Sequence, residues 1–295
     1  MELRCEGCAG CCVDWRPLAP DAAGSDRAGD RPPLDDAYDL VPLTRDEVAG
    51  FLDDGLGDVL VPRLFEPAER DERVAVDGTE VAAAGDRPVF MLGLRKPPKP
   101  VAPIGTDELR WLDACVFLDP TTLQCRIHDE DRYPRTCATY PGQNLELDAE
   151  TECERVEDAG GGDRLLDDEP PADLPAPAFG PQALGTTVFA YPDPDGLDGV
   201  IDRIRSDSLT DDDRARFVGA AVGSRPGSLS VDRDRMAEAR ARARDADSWA
   251  GRAIGEWTDR AGADGEPVPF DADSQERLVR ELEDDAGAPG TPGWD

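Results

Sequence analysis

The sequence predicts an α+β protein. We expect a small, loop-rich, metal-stapled domain with short hairpins and helices, followed by a mainly helical C-terminal region. Seven of the eight cysteines precede residue 140, short apolar runs in that part alternate around turn residues, and apolar residues after residue 235 recur at helical spacing. The expected divisions are a cysteine-cluster domain (1–157), a linker (158–178), a mainly helical region (179–285) and a disordered tail (286–295).

Local patterns define the first elements. Thr44 precedes an apolar helical pattern, and Glu47 stands three residues later, which predicts a helix with a capping box. The segment 73–81 alternates around an Asp-Gly pair, which is typical of a two-residue β-hairpin. Segment 88–94 then predicts a short buried strand.

The next elements surround two cysteines. We expect a proline-rich loop over 96–103, an apolar strand over 115–118, and a turn at Asp119-Pro120. The chain then returns over 123–127 as the second strand of a hairpin. This hairpin would carry Cys115 and Cys125.

The second half predicts a strand at 186–190 and then helices. A shorter helix is expected to begin at Asp273, with Leu278, Val279 and Leu282 buried. Before it, one stripe of apolar residues at helical spacing predicts a packing face. The stripe consists of Met236, Ala239, Ala243, Ala246, Ala250, Ala253, Ile254 and Trp257.

The most specific feature is the opening run C-x2-C-x2-C-C, formed by Cys5, Cys8, Cys11 and Cys12. Thiolates are strong ligands of Zn²⁺ and of iron–sulfur iron, and short spacers with glycine let the backbone curl around one ion or cluster. The run therefore predicts a metal site. The adjacent Cys11 and Cys12 side chains are expected to diverge, so that one of them faces a second centre, a catalytic position or a different shell.

Disulfides are the alternative use of these thiols. No secretory signal precedes Cys5, so we expect a reducing cytoplasm, where clustered cysteines are more often ligands than bridges. Cys153 stands in an acidic segment, and we interpret it as a spectator thiol whose pKa is raised by neighbouring carboxylates.

A second group, Cys115, Cys125, His128 and Cys137, could complete the coordination. With the opening run it supplies the eight ligands of two tetrahedral zinc sites. Alternatively, Cys5, Cys8 and Cys11 have the spacing that holds one [4Fe-4S] cluster, with a later cysteine as the fourth ligand. His128 is either a ligand or a hydrogen-bond donor near the site, and both metal assignments remain open.

Charge limits the possible partners. Asp and Glu number 65 against 32 Lys and Arg, and the formal net charge is −33. Such a surface repels nucleic acid and anionic membranes, and it predicts a salt-rich, halophilic cytoplasm where charges are screened. No apolar stretch is long enough to form a transmembrane helix.

The cysteine motifs form an ordered series. The opening run is followed by Pro42-Leu43-Thr44, by the segments 115–119 and 125–128, by Arg132-Tyr133-Pro134 and by 137–141. Over roughly residues 2–145 the series resembles the YkgJ family of cysteine-cluster proteins, which are proposed zinc- or iron-chelating domains. Family members often have Tyr at the position of His128 and a directly joined Arg-Pro. The resemblance implies a metal-binding set of Cys5, Cys8, Cys11, Cys12, Cys115, Cys125 and Cys137.

Three classes of function follow from these patterns. The first is a metal-binding protein that coordinates zinc or an iron–sulfur cluster. The second is an iron–sulfur oxidoreductase or an enzyme similar to protein lysine methylases, with catalytic residues unknown. The third is a protein-interaction module with purely structural metal, which would contact a protein partner through the C-terminal helices.

Overall fold

A computed structural model describes residues 1–14, 17, 40–69, 71–102, 108–128, 130–175, 180–262 and 271–293. These residues form helices and antiparallel strands, which confirms the predicted α+β class. The strands are β1 Glu2–Leu3, β2 Leu60–Leu64, β3 Arg73–Val76, β4 Thr79–Ala84, β5 Arg87–Leu94, β6 Pro98–Val101, β7 Arg110–Asp113, β8 Leu165–Asp167 and β9 Phe189–Ala190. The helices are α1 Arg45–Asp53, α2 Arg135–Thr139, α3 Gly142–Glu146, α4 Glu152–Gly160, α5 Val200–Arg205, α6 Asp211–Gly223, α7 Arg233–Arg244, α8 Trp249–Ala261 and α9 Ala272–Val279. Among the described helices, none has the length and apolar character needed to cross a membrane.

The chain forms two compact units, and each is assembled from separated segments. The first unit contains Met1–Gly29, Arg95–Pro177 and Trp249–Asp295, and the second contains Asp30–Leu94 and Ala178–Ser248. The sequence predicted consecutive divisions at residues 157 and 178 instead. The two differ because β8, inside the predicted linker, pairs with β1 at the start of the chain.

The predicted disordered tail, 286–295, also differs from the structure over its described part. The Gly293 N–H donates to the Gln124 side-chain oxygen at 3.0 Å, and the Pro289 carbonyl accepts from Arg126 at 2.8 Å. These bonds attach the segment to the first unit.

The second unit contains a sheet in the order β2-β5-β4-β3, with β9 paired to β5. The predicted hairpin is confirmed, since Val76 is opposite Thr79 across a turn in which Asp77 and Gly78 both have positive φ. The predicted strand over 88–94 is confirmed as β5. The strand predicted over 186–190 is limited to β9, because the N–H groups of Thr186 and Thr187 turn back to the Ala183 carbonyl.

The helices of the second unit cover an aromatic core. α1 has the predicted capping box between Thr44 and Glu47, and it buries Val48, Phe51 and Leu52. The ring centroids of Phe90 and Phe217 lie 4.9 Å apart in an edge-to-face arrangement, which joins β5 to α6. α6 lies so close to α7 that a Cβ at Gly219 would be 2.6 Å from the Met236 carbonyl oxygen.

The apolar stripe predicted over 236–257 is divided between two helices. α7 ends at Arg244, and the Ser248 N–H and hydroxyl then bond the Asp58 carboxylate at 2.8 and 2.7 Å. α8 begins at the following residue and belongs to the first unit. Helical spacing alone could not reveal this break.

The first unit differs from expectation in two places. The loop predicted over 96–103 contains β6, which pairs with β7 in a two-stranded ribbon. Alternate residues of an edge strand point their N–H away from the partner, so Pro98 and Pro100 are tolerated there. The strand predicted over 115–118 is a turn, in which the Leu118 N–H donates to the Cys115 carbonyl.

The C-terminal helix is close to its prediction. α9 spans Ala272–Val279 with Asp271 as its N-cap, and a π-helical turn, Arg280–Asp284, continues it. Val279 and Leu282 are buried with Trp257 in a cluster of the first unit, as expected, and Leu278 packs against that cluster.

Candidate metal centre

The opening cysteines lie on a loop of consecutive turns in the first unit. The Cys8 N–H donates to the Cys5 carbonyl, and the Cys12 N–H donates to the Ala9 carbonyl, each at 2.9 Å. Gly7 has φ 63°, a left-handed conformation that glycine adopts without steric cost. The first C-x-G-C spacer therefore curls as the sequence predicted.

Two contacts fix this loop against a distant segment. The first contact is the pairing of Leu3 with Leu165 in the β1–β8 ribbon. The second is the approach of Gly10 to Val156 of α4. A Cβ at Gly10 would lie 2.7 Å from Cγ2 of Val156 and 3.5 Å from Sγ of Cys8. Glycine is required there because any side chain would separate the loop from α4.

Cys115 and Cys125 are joined to the opening loop through the backbone. The Cys115 N–H donates to the Cys12 carbonyl at 2.8 Å, and Leu118 forms an antiparallel bridge with Cys125. Between them, the Asp119 carboxylate accepts from the Thr121 N–H at 2.8 Å and closes the predicted turn. The backbone therefore brings residues of both predicted groups together.

Cys137 and His128 lie on the next part of the chain. Cys137 is on the short helix α2, and the His128 ring lies 4.9 Å from the Tyr133 ring. The His128 side chain is exposed, unlike the buried Cys115.

These elements surround one cavity of about 230 Å³. That volume is far above the roughly 10–15 Å³ that a single water needs. Its walls include His128, six of the seven cysteines marked by the family resemblance, and Cys153. The buried Cys115 is outside the lining, but its backbone N–H donates a hydrogen bond to the Cys12 carbonyl. The cysteines in the walls are Cys5, Cys8, Cys11, Cys12, Cys125, Cys137 and Cys153.

The thiols do not form a closed coordination shell. In the part of the chain that the structure describes, no group of three or more His, Cys, Asp or Glu is arranged to hold a metal ion. Sγ of Cys11 and Sγ of Cys12 lie 3.9 Å apart, so these adjacent side chains do not diverge as expected. Two sulfurs on one zinc ion, with bonds of about 2.3 Å, would be separated by about 3.8 Å.

Burial and neighbouring sulfurs control the acidity of the thiols. Burial raises the pKa of Cys8 to about 11, with further contributions from the charges of Cys11 and Cys5. Burial likewise raises the pKa of Cys125 to about 12, and the charge of Cys115 adds to the effect. The site therefore favours protonated thiols until a cation compensates the thiolate charge.

Cys153 belongs to this group of thiols. Burial, together with the charges of Cys8, Cys11 and Cys5, raises its pKa to about 12. Cys153 lies in the cavity wall, although we interpreted it from the sequence as a spectator thiol. A sequence signal exists only in its residue type, since its spacing from the other cysteines is not a recognised ligand pattern.

Basic side chains counteract the effect of burial on the pKa values of the thiols. The chain has only two lysines, Lys96 and Lys99, and both act on Cys115. Burial raises the pKa of Cys115, whereas the lysine charges lower it. Arg164 has the same lowering effect on Cys5 and Cys8. These cations would offset part of the negative charge of a polythiolate centre.

A buried ionic network supports the turn after Cys115. Lys99 Nζ donates to the carbonyls of Val116 and Leu118 at 2.8 and 2.7 Å, and to Glu283 Oε1 at 2.7 Å. Arg126 Nε donates to the second Glu283 oxygen at 2.9 Å. The sequence did not predict this network, because its partners are as much as 184 residues apart.

A family model matches the chain along its whole length, residues 1–295. The chain belongs to DUF7531, a family of unknown function. No curated protein and no solved structure matches it. The resemblance to the YkgJ family therefore stays a prediction, supported in this DUF7531 chain by its cysteine motifs.

Proposed function

We propose that the first unit is a metal-binding module that holds zinc or an iron–sulfur cluster through cysteine thiolates. The observation that carries the proposal is the convergence of distant cysteines on one cavity. The opening run and Cys125 are separated by more than a hundred residues, yet their side chains line the same wall. The proposed ligand set is Cys5, Cys8, Cys11, Cys12, Cys115, Cys125 and Cys137.

The chemistry of the donors supports a thiophilic metal. Free thiols at this site hold their protons because burial raises their pKa values. A bound zinc ion or iron–sulfur cluster would replace those protons and stabilise the thiolates. The backbone already brings Cys12 beside Cys115, since the Cys115 N–H donates to the Cys12 carbonyl.

The metal would connect separated parts of the chain. Residues 1–12 contribute four of the thiols, and residues 115–137 contribute three. Metal binding therefore supplies folding free energy to the first unit. This supports a structural or metal-handling role, with the cavity as the site that takes up the ion or cluster.

Anaerobic purification followed by elemental analysis and visible absorption tests the proposal. We expect stoichiometric zinc in a colourless sample, or iron with a visible charge-transfer band that dithionite bleaches. The Cys125→Ser variant should lose bound metal, whereas Thr122→Ser, on the same turn, should retain it. A chain that binds neither metal after reconstitution under reducing conditions would disprove the proposed function.

A further inference from the structure

Cys153 occupies a fixed position at the start of α4. The Thr151 hydroxyl accepts from the Glu154 N–H at 3.2 Å, and the Glu154 carboxylate accepts from the Thr151 N–H at 2.8 Å. This capping box holds the first turn of the helix. The Tyr140 hydroxyl accepts a further bond from the Glu152 N–H. The backbone of Cys153 is therefore restrained from both sides.

The acidic neighbours of Cys153 are directed to other partners. Glu152 pairs with Arg155 at 2.9 Å, and both side chains are buried. Glu154 is held by the Thr151 backbone and hydroxyl. Their carboxylates are thus engaged within α4, although the sequence places them on either side of the thiol.

Cys153 faces the opening loop. Residues three apart on a helix share a face, so Cys153 lies on the same face as Val156. Val156 contacts Gly10 so closely that a Cβ there would lie 2.7 Å from its Cγ2, and the same Cβ would lie 3.5 Å from Sγ of Cys8. The face of α4 that carries Cys153 is therefore the face that meets the cysteine loop.

We propose that Cys153 is a metal ligand that shares a centre with Cys5, Cys8 and Cys11. All four side chains line the one cavity, together with Arg164. The inference rests on the proposed function and adds a ligand from a separate helix. In the count of eight ligands for two zinc sites, Cys153 would then replace His128. Four thiolates from two segments are sufficient for one tetrahedral zinc ion or one [4Fe-4S] cluster.

Zinc stoichiometry in single and double variants tests this assignment. The reduced full-length chain is reconstituted with Zn²⁺ alone, and the zinc retained after desalting is counted. We expect Cys153→Ala to lose as much zinc as Cys5→Ala, and the Cys5→Ala/Cys153→Ala double variant to lose no more than either single variant. Non-additivity of this kind indicates that two residues serve the same centre. Asp158→Ala, at an exposed position of the same helix, is the control and should retain the wild-type number.

Two results would overturn the inference. One is a wild-type zinc content in Cys153→Ala, and the other is a loss in the double variant that equals the sum of the single losses. Failure of the wild-type chain to bind zinc or iron would instead disprove the proposed function. Alanine is well tolerated inside helices, so circular dichroism of Cys153→Ala should keep the wild-type helical signal.

A second measurement does not depend on any variant. In the wild-type chain, zinc should slow alkylation of Cys153 by iodoacetamide to the same degree as that of Cys5 and Cys8, with peptide mass spectrometry as the readout. Protection of Cys5 and Cys8 while Cys153 reacts at its metal-free rate would contradict the assignment.

Discussion

The two units of the molecule bury different kinds of side chain. The second unit is built around aromatic rings such as Phe90 and Phe217, which are completely buried. The first unit has an apolar cluster around Trp257, and it also buries charged side chains, among them Lys99 and Glu283. Apolar burial stabilises a unit without any ligand, whereas buried thiols and charges require compensation. If the proposed metal site is correct, we expect the first unit to depend on bound metal and the second not to.

Metal removal should produce the largest difference between the two units. Structural zinc contributes about 10–16 kcal/mol of apparent binding free energy in small zinc-binding peptides. We expect the metal-free chain to lose amide protection over residues 2–12, 115–128 and 152–160, while α6 and α7 keep theirs. Hydrogen exchange with and without metal measures this difference. Equal protection in both samples would show that the first unit does not need metal.

Phe217→Ala should weaken the second unit alone. Truncation of a fully buried phenylalanine leaves a cavity, and it costs about 3–5 kcal/mol. We expect a lower urea midpoint for unfolding of α6 and α7 with unchanged metal content. Glu238→Ala, at an exposed position of α7, should change the stability by less than about 0.5 kcal/mol. A loss of metal in Phe217→Ala would show that the units are not separable in this way.

Glu283→Gln should weaken the first unit alone. The substitution removes the negative charge that pairs with Lys99 and Arg126, and breaking a buried ion pair costs about 3–5 kcal/mol. Glu281→Gln is the matched control, because that carboxylate is 62% exposed and its contact with Arg260 is longer, at 3.5 Å. Urea unfolding of both variants measures the effect. Equal midpoints for the two variants would contradict the importance of the network.

Low pH should cause a smaller effect in the second unit. Burial raises the pKa of Asp213, but hydrogen bonds from Arg203 and Thr210 lower it more, to about 2 from the usual 3.8. Because the folded pKa is the lower one, this contribution is present above pH 4 and is lost as the pH falls towards 2. It amounts to about 2 kcal/mol.

The Asp213→Asn variant isolates that contribution. Its urea midpoint should lie below that of the wild type at pH 5, and the gap should shrink by pH 2.5. A constant gap over this range would show that Asp213 does not titrate as inferred.

Local signals in the sequence were sufficient for much of the second unit. The capping box at Thr44 and the Asp77-Gly78 hairpin depend on residues within a few positions, and both are confirmed. Long-range pairs leave no comparable pattern. Lys99 stands in a proline-rich segment that resembles a loop, and nothing near it indicates a bond to Glu283.

The sequence predicted that the candidate site is formed by cysteines, but it did not predict every cysteine that lines the cavity. The spacing of the opening cysteines indicated a shared site, and the structure places six of the seven predicted cysteines in one cavity wall. The place of Cys153 in the cavity wall was missed because it depends on the packing of Val156 against Gly10, which no spacing rule describes. The interleaved units were missed for the same reason, since strand pairing between residues 3 and 165 has no local signature.

The interleaving of the first unit has a consequence for protein synthesis. Glu283 and Trp257, which bond each other at 2.8 Å, emerge from the ribosome long after the opening cysteines. Pro292 and Gly293, which complete the cavity wall, follow later still. At about 5–20 residues per second, they are synthesised tens of seconds after the thiols of residues 5–12. During that interval the thiols are accessible to oxidants and to competing metals. A shortened gene that stops at residue 157 would leave Lys99 without its buried carboxylate, so the full coding sequence is the unit to express.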